Sequence, residues 1–187
     1  MRIIGGKLKG KSLFFLKSLI TRPLKDSVRE NIFNVLSHSN ILEINLKASN
    51  ILDIYSGFGS FGLECISRGA NKITFVEKNE EVIKVLNKNI NNLSLQKQTK
   101  IVNSGIENFL HKNISEKFEI IFLDPPYAKN DFIEVLISIQ KLKIYKKNHI
   151  IILHREKRSN DNLNKIINPI IVKQYGRSKI IFGKFLN

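Results

Sequence analysis

The spacing of hydrophobic positions changes near residue 50 of the chain. Before that point, apolar side chains recur every three or four residues, which predicts a helix over about residues 27–38. Ser27 and Glu30 have the spacing of a capping box at the start of this helix. After that point, short continuous apolar runs alternate with helical segments. Apolar strands that are separated by helices are typical of a parallel sheet buried on both faces.

Five apolar runs predict the strands of this sheet: NILDIY (50–55), KITFVE (72–77), KIVNS (100–104), FEIIFLD (118–124) and HIIILHR (149–155). Helices are predicted from about Ser60, over 79–92, directly after KIVNS and over 130–142. Two further strands, over about 170–175 and 179–185, should pair antiparallel because only a short turn separates them. The stretch RIIGGKLKGKSLFF (2–15) carries a hairpin signal at Gly5-Gly6. The prediction is a doubly wound α/β fold whose seven-stranded, mostly parallel sheet ends in an antiparallel hairpin, after a small N-terminal hairpin-plus-helix extension.

Length and composition indicate one domain of 187 residues. The single cysteine, Cys65, excludes a disulfide within the chain and is expected in the core, and the four histidines show no metal-ligand spacing, so no metal is expected. No stretch has the order of a signal peptide, and no apolar run approaches the roughly 20 residues of a membrane helix. We therefore expect a cytoplasmic protein without a membrane segment, and a monomer.

The charge balance is strongly basic, with 31 Lys and Arg residues against 16 Asp and Glu and a net charge of +15. Part of this excess reflects a composition rich in Ile, Lys and Asn. Its distribution is nevertheless uneven, because cations crowd the first 30 residues; they include Lys7, Lys9, Lys11, Arg22 and Arg29. Such a surface favours a polyanionic partner, since counterion release from phosphates drives binding.

The stretch LDIYSGFGSFGLE (52–64) contains G-x-G-x-x-G where the first strand of the sheet meets a helix. Gly57 and Gly59 would allow close approach of a ligand, and Gly62 would let the helix pack on the strand. Glu77 ends the next strand, where a carboxylate can accept both hydroxyl protons of a ribose. The motif therefore predicts a nucleotide-like cofactor, either a nicotinamide dinucleotide or S-adenosylmethionine (SAM).

Asp53 interrupts the first strand, and a buried acid there is costly without partners. SAM carries an ammonium and no pyrophosphate, so it needs polar groups at a strand end more than a helix dipole aimed at phosphate. Alternatively, Asp53 has a purely structural role and accepts hydrogen bonds from the N–H groups of the loop itself. At this point the identity of the cofactor stays open.

A second loop follows FEIIFLDPPY (118–127), where a buried strand ends in Asp124, Pro125, Pro126 and Tyr127. Two prolines stiffen the turn and remove two N–H donors. The Asp124 carboxylate and the Pro125 carbonyl can each accept one N–H of an amino group on a flat ring, while Tyr127 stacks on the ring. A turn with an exposed aromatic is the plain alternative, but beside a cofactor loop the motif favours methyl transfer from SAM to an amino group.

Taken together, these motifs resemble those of the RsmD family of 16S rRNA guanine-N2 methyltransferases, within the class I SAM-dependent methyltransferases of Rossmann-like fold. The likeness covers nearly the whole chain, and the matching segments are MRIIGG…KGK, TRPLKDSVRENIFNVL, LDIYSGFGSFGLECISRGA, FVEKN, LDPPY and KQYGRSKIIF. The D-P-P-Y turn is shared with other amino methyltransferases, whereas its combination with the R-P…V-R-E and S-R-G-A segments is more specific.

The resemblance implies methyl transfer from SAM to the exocyclic N2 of one guanine in 16S rRNA, within a small ribosomal subunit or an assembly intermediate. Residues 1–40 would form a basic extension that faces RNA, and residues 41–187 would form the SAM-binding catalytic core. The residues of the extension that would bind RNA are Lys7, Lys9, Lys11, Arg22 and Arg29. The expected cofactor site comprises Asp53, Tyr55, Gly57, Gly59, Gly62, Glu77, Ser104 and Ile106. The expected target site comprises Asp124, Pro125, Pro126 and Tyr127.

Three positions depart from the family pattern: Phe58 replaces a small Ser or Thr, Leu24 replaces a Thr after Arg-Pro, and Gly105 stands where an acid or amide commonly meets adenine. Three other functions compete with the first. A DNA adenine-N6 methyltransferase also uses D-P-P-Y, although the chain has little room for a separate target-recognition domain. A non-catalytic RNA-binding assembly factor and an NAD oxidoreductase are the remaining alternatives.

Overall fold

A computed structural model describes residues 1–16, 24–126 and 131–186 of the chain. The strands are β1 (Asn50–Ile54), β2 (Lys72–Glu77), β3 (Thr99–Asn103), β4 (Phe118–Leu123), β5 (Tyr145–Glu156), β6 (Ile167–Tyr175) and β7 (Ser178–Phe185). The helices are α1 (Asp26–His38), α2 (Ser60–Ser67), α3 (Glu80–Asn92), α4 (Ile106–Leu110) and α5 (Phe132–Leu142), with short 3₁₀ turns at Gly6–Leu8 and Gln96–Gln98. In the described part of the chain, no helix is both long and apolar enough to cross a membrane.

The seven strands form one sheet in the order β3-β2-β1-β4-β5-β7-β6. The first five are parallel, and β7 runs antiparallel to both of its neighbours. The predicted mostly parallel sheet and its C-terminal antiparallel hairpin are therefore confirmed. The strand order reverses beside β1, because β1 pairs with β2 on one edge and with β4 on the other. This switch point brings the loops that follow β1 and β4 side by side, which is where doubly wound sheets bind ligands.

Alternate residues of each central strand supply two cores, one on each face of the sheet. In β4, Ile120 and Phe122 join the core that contains α1, α2 and α3 side chains, whereas Ile121 and Leu123 join the core that contains α4 and α5 side chains. This alternation explains why the central strands β1 and β4 are almost continuously apolar, because both of their faces are buried.

The N-terminal segment departs from the predicted hairpin around Gly5-Gly6. Arg2 and Ser12 form a single antiparallel bridge, and the chain reverses through the 3₁₀ turn Gly6–Leu8 rather than a two-residue turn. The cause is tertiary, because the Ser67 hydroxyl at the end of α2 donates to the Gly5 carbonyl and accepts from the Leu8 amide. The two predicted segments do pair, since backbone hydrogen bonds join Ile3 to Gly10 and Lys11, and Met1 to Leu13, but over fewer residues than predicted and held against α2.

Helix α1 confirms the predicted helix but not its capping box. Its N-cap residue is Lys25, which makes no side-chain cap hydrogen bond, and Ser27 lies inside the first turn. The acid of the first turn, Asp26, instead pairs with Arg29 at 2.9 Å. Helix α3 begins as predicted, with the Asn79 side chain accepting from the Val82 amide. The strands of the C-terminal hairpin are longer than predicted, and β6 contains a register shift just after Pro169.

Candidate functional site

A cavity of about 660 Å³ opens at the carboxyl ends of the parallel strands. It is called the site cavity below. Residues from both predicted loops line it, together with the ends of β2, β3 and β5 and the turn before β7. The residues that line the site cavity include Leu24, Lys25, Asp53, Tyr55, Ser56, Gly57, Phe58, Glu77, Lys78, Ser104, Gly105, Ile106, Asp124, Pro125, Pro126, His154, Arg177 and Ser178.

The loop after β1 depends on two of its glycines for its path. Gly59 has φ +80°, and a Cβ there would lie 2.4 Å from a Leu86 methyl group. A Cβ on Gly62 would lie 2.4 Å from the Phe75 ring, so this glycine lets α2 pack directly on β2. The predicted role of Gly62 is confirmed, and Gly59 supplies the left-handed turn that starts α2.

Two carboxylates already occupy the amide groups of this loop. Asp53 accepts a hydrogen bond from the Gly62 amide at 3.0 Å, and Glu77 accepts one from the Gly57 amide at 3.0 Å. A pyrophosphate needs free amides at such a helix N-terminus and is repelled by carboxylates. The loop therefore disfavours a dinucleotide and suits a ligand that carries positive charge.

Asp53 is the more constrained of these two acids. It is 1% exposed, and burial raises the pKa of its carboxyl well above the ordinary value. The Gly62 amide opposes this rise in pKa, whereas the nearby Asp124 and Glu77 carboxylates add to it. Because three acids meet at the floor of the site cavity, a bound cation there would relieve their mutual repulsion.

Tyr55 follows directly after β1 and lines the site cavity with left-handed backbone geometry, at φ 59°. Burial, assisted by the Glu107 and Asp131 carboxylates, raises the pKa of its phenol to about 12. The phenol is thus a neutral hydrogen-bonding group at physiological pH. A non-glycine residue in this conformation is uncommon and is found more often at ligand sites than elsewhere.

Two serine hydroxyls in the site cavity lack partners. Within the described part of the chain, the buried Oγ atoms of Ser56 and Ser104 make no hydrogen bond. Buried hydroxyls are normally satisfied, so each marks a position where a polar ligand atom would be stabilised. Ser104 was expected in the cofactor site from the sequence, whereas Ser56 was not.

The three departures from the family pattern all lie at the site cavity. Phe58 is 2% exposed, and its carbonyl accepts from the Asn89 side chain, so its ring packs as a fixed wall. Leu24 supplies apolar lining at the mouth. Gly105 is the N-cap residue of α4 and leaves the backbone before Ile106 accessible to the site cavity.

The second loop meets the first as predicted. The Asp124 amide lies 3.5 Å from the Ile54 carbonyl, and Pro125 and Pro126 continue into the lining of the site cavity. Tyr127 lies outside the described residues, so its predicted stacking role stays a prediction.

His154 holds the Asp124 carboxylate at the end of β4. Its Nδ1 lies 2.8 Å from Oδ1 of Asp124, and its Nε2 lies 2.9 Å from the Ser178 hydroxyl. The run of charged residues over 154–158 would suggest an exposed loop, but its first two residues are buried. His154 and Arg155 are 6% and 2% exposed, because β5 extends to Glu156.

Arg155 supports the same turn from the other side of β5. Its guanidinium is ion-paired with Asp161 at 3.1 Å and stacks on the Phe132 ring, 4.3 Å from the ring centre. One nitrogen also lies 3.5 Å from the Pro126 carbonyl. Burial opposes ionisation of Asp161, but hydrogen bonds from Arg155 and Ser159 hold its pKa below the ordinary value. The pair is therefore charged and fixes the guanidinium beside the turn.

In the described part of the chain, the basic residues of the first 30 positions do not form one surface. Lys7, Lys9 and Lys11 are exposed, but they lie near the C-terminal end of α2, whereas the site cavity is at its N-terminal end. Arg22 lies outside the described residues. Among the described residues, the cations that line the site cavity are Lys25, Lys78 and Arg177; Lys25 belongs to the N-terminal group of cations expected to face a polyanion, whereas the other two were not expected at the site.

Arg29 was expected to grip RNA, and the structure contradicts this. Its side chain is 0% exposed, donates to the Arg2 carbonyl and pairs with Asp26. The fully buried Glu64 carboxylate lies 3.9 Å from its Nε. Burial lowers the pKa of Arg29, whereas the two acids raise it. Arg29 therefore ties the N-terminal segment to α2 and has no access to a partner.

Besides Lys78 and Arg177, sequence reasoning missed Ser56, His154 and Ser178, which line the site cavity, and Arg155, which contacts the second loop. A signal was available for one of them, because His154 follows the last apolar residue of β5 and parallel strand ends share one edge of the sheet. The position of Ser178 could not be predicted from strand ends, because it depends on the antiparallel pairing of β7 with β5.

Comparisons with known proteins agree with this fold. The family model described as "Conserved hypothetical protein 95" matches residues 1–184. The chain is 33% identical over 159 residues to the Ribosomal RNA small subunit methyltransferase D of Haemophilus influenzae, covering 84% of this chain and 79% of that protein. It is 32% identical over 156 residues to the protein of the same name from Buchnera aphidicola subsp. Acyrthosiphon pisum, covering 83% and 78%. The solved structure of yhhF from Escherichia coli matches with a TM-score of 0.83 at 27% identity, over 98% of this chain and 96% of that one.

Proposed function

The chain belongs to the RsmD family, described as conserved hypothetical protein 95, and from that premise we propose that it transfers a methyl group from SAM to the exocyclic N2 of one guanine in 16S rRNA. The relatives named above are small-subunit rRNA methyltransferases by name. The observation that carries the proposal is that the acidic cofactor loop and Asp124 open onto one cavity.

The cofactor half of the site cavity fits SAM in charge and in hydrogen-bonding groups. When bound, SAM supplies an electrophilic methyl group on a sulfonium. The acids at the floor of the site cavity favour its positive charge, Glu77 can accept the hydroxyl protons of its ribose, and the Ser56 and Ser104 hydroxyls are unpartnered polar groups available to it. The remaining members of the proposed cofactor site are Tyr55, Gly57, Gly59, Gly62 and the backbone at Ile106.

The target half of the site cavity fits an amino group attached to a planar ring. The Asp124 carboxylate and the Pro125 carbonyl are acceptors for its two N–H groups, and Pro126 keeps the turn stiff. Tyr127 would stack on the ring. Two acceptors in the ring plane direct the nitrogen lone pair out of that plane, toward the cofactor half. The catalytic contribution is mainly orientation, and the methylated nitrogen loses its proton to solvent afterwards.

The target guanine must leave its stack to enter this cavity. We propose that Lys25 and Arg177 contact phosphates beside the extruded nucleotide, since both line the mouth. The exposed Lys7, Lys9 and Lys11 would contact rRNA farther from the target, from the opposite end of α2. Each contact adds a salt-dependent increment to the affinity without reading sequence.

The experiment that tests the proposal uses labelled SAM and small ribosomal subunits that lack this modification, followed by nucleoside analysis of the product. Label in N2-methylguanosine of 16S rRNA is the expected result. Label in N6-methyladenine of duplex DNA, with none in rRNA, would show that the substrate is DNA and refute the proposed rRNA substrate. Binding of RNA without transfer to either substrate would leave a non-catalytic assembly factor.

A further inference from the structure

The contact between His154 and Asp124 follows from the register of the sheet. Strands β4 and β5 are parallel and pair Leu123 with Leu153, so the next residue of each strand lies side by side at the carboxyl end. The two side chains are 7% and 23% exposed, and their polar atoms are 2.8 Å apart. The contact is therefore set by the most regular part of the fold rather than by a loop.

The second ring nitrogen of His154 has its own partner. Ser178 is 8% exposed and begins β7, directly after the turn that carries Arg177. An ionised carboxylate only accepts hydrogen bonds, so Nδ1 must carry the proton that faces Asp124. In the neutral ring, Nε2 then accepts from the Ser178 hydroxyl at 2.9 Å. Contacts at both nitrogens thus determine the tautomer and the orientation of the ring.

This arrangement leaves one oxygen of Asp124 for a ligand. Oδ1 is engaged by His154, and in the described part of the chain Oδ2 has no hydrogen-bond partner. Both residues line the site cavity. We propose that His154 is a positioning residue, which together with Ser178 holds Asp124 in the rotamer that presents Oδ2 to the amino group of the target base. This inference rests on the proposed function.

The expected magnitude follows from the cost of misorientation. Asp124 can rotate about two side-chain bonds, and a displacement of about 1 Å at a reacting centre can reduce a rate on the order of 100-fold. The contact touches the target half of the site cavity, so it should affect turnover and leave SAM affinity nearly unchanged. A residue that merely supported the fold would instead lower stability and SAM affinity together.

The kinetic test compares two substitutions at one position. His154→Leu removes the donor, whereas His154→Asn keeps an N–H near the place of Nδ1. We expect kcat of the leucine variant to fall roughly 100-fold with the dissociation constant for SAM within about twofold, and the asparagine variant to recover most of the loss. Ser178→Ala should have a smaller effect in the same direction. The matched control is His111→Leu, because His111 is exposed just after the C-terminal end of α4.

Two results would overturn the inference: a leucine variant with near-normal kcat, or parallel losses of kcat, SAM affinity and melting temperature that asparagine does not rescue. Spectra of ¹⁵N-histidine-labelled protein give a readout without turnover. We expect a proton on Nδ1 of His154 in the wild type, which moves to Nε2 in Asp124→Ala. A wild-type spectrum in which Nδ1 of His154 carries no proton would refute the hydrogen bond from His154 to Asp124. Absence of methyl transfer by the wild type would refute the proposed function, and these spectra would still decide the contact.

Discussion

Glu77 at the end of β2 accepts a hydrogen bond from the amide of Gly57, 20 residues earlier, at 3.0 Å. Its other carboxylate oxygen accepts from the amides of Lys78 and Asn79 at 2.9 Å. One side chain therefore joins the loop after β1 to the loop after β2. The cofactor half of the site cavity is consequently shaped before a ligand binds, which reduces the ordering cost of binding.

Replacing Glu77 with alanine should weaken SAM binding on the order of 10- to 100-fold. The variant loses a negative charge and three hydrogen bonds to the loops, each with a net value of about 1 kcal/mol. Calorimetric titration with SAM measures the change. Glu81→Ala is the control, because Glu81 is exposed and only pairs with Lys84 on α3. Equal affinities for wild type and Glu77→Ala would show that this acid does not hold the cofactor.

Replacing Asp124 with alanine should abolish most methyl transfer while preserving SAM affinity. Loss of one oriented charge-bearing acceptor typically costs on the order of 100- to 1,000-fold in rate. Single-turnover transfer to rRNA, alongside SAM titration, separates the two effects. Near-normal turnover in this variant would mean that the amino group is held by other residues.

Replacing Arg29 with methionine should destabilise the fold rather than weaken RNA binding. The variant loses the hydrogen bond to the Arg2 carbonyl and one of the two cations beside the buried Glu64 carboxylate, which keeps Arg68 at 2.8 Å, so we expect a cost of about 1–3 kcal/mol. Urea denaturation gives the free energy of unfolding. The double variant Arg29→Met, Glu64→Gln removes both charges and should regain part of the loss. The control variant is Lys9→Met. Because Lys9 is exposed, this substitution should change the free energy of unfolding by less than about 0.5 kcal/mol. A folded Arg29→Met protein with normal stability and reduced RNA affinity would restore the RNA-binding role.

Replacing Asp53 with asparagine should change how stability depends on pH. Below about pH 3.9, Asp53 is neutral in the folded and the unfolded chain. As pH rises above this value, the unfolded chain releases the proton first, because burial raises the pKa of Asp53 in the folded state. The wild type therefore loses stability until the pH passes the folded-state pKa. The asparagine side chain cannot ionise and still offers an oxygen to the Gly62 amide.

Denaturation curves of this variant and the wild type across about pH 4 to 8 test the prediction. The difference in free energy of unfolding, variant minus wild type, should grow with pH. A difference that is constant across this range would show that Asp53 ionises as readily in the folded protein as in the unfolded chain.

Replacing Arg177 with glutamine should weaken rRNA binding and lower its salt dependence. Each phosphate contact contributes about 0.9 to the slope of log affinity against log salt on duplex nucleic acid, and about 0.7 on single strands. Titrations at several salt concentrations measure this slope. Lys141→Gln is the control, because Lys141 is exposed at the C-terminal end of α5, away from the site cavity. An unchanged slope for Arg177→Gln would place the RNA elsewhere on the protein.

Much of the fold was predictable because it depends on local periodicity. Continuous apolar runs predicted all five parallel strands, since a sheet covered on both faces needs apolar residues at every position. The helix start at Ser60 was predictable from the glycines before it. The form of the turn near Gly5-Gly6 was not, because Ser67 of a distant helix determines the path of that segment.

The candidate site was predictable where chemistry and strand ends coincide in sequence. Asp53, Glu77 and Asp124 each lie in or directly after an apolar run, and the parallel topology brings all three to one cavity. The RNA-binding role predicted for Arg29 was wrong, because one basic residue in a basic segment carries no sequence signal that it is buried. Only the packing of α1 against α2 shows that its guanidinium is buried, between Asp26, the Arg2 carbonyl and Glu64.

The sequence by itself determined the doubly wound sheet, the two loops at its switch point and the acids that those loops carry. These features follow from side-chain periodicity and from residue types that suit particular backbone turns. The tertiary structure alone decided which cations reach the site cavity, which arginines are buried and what orients Asp124. Those outcomes depend on strand register and on contacts between residues 24 to 60 positions apart, which local patterns do not encode.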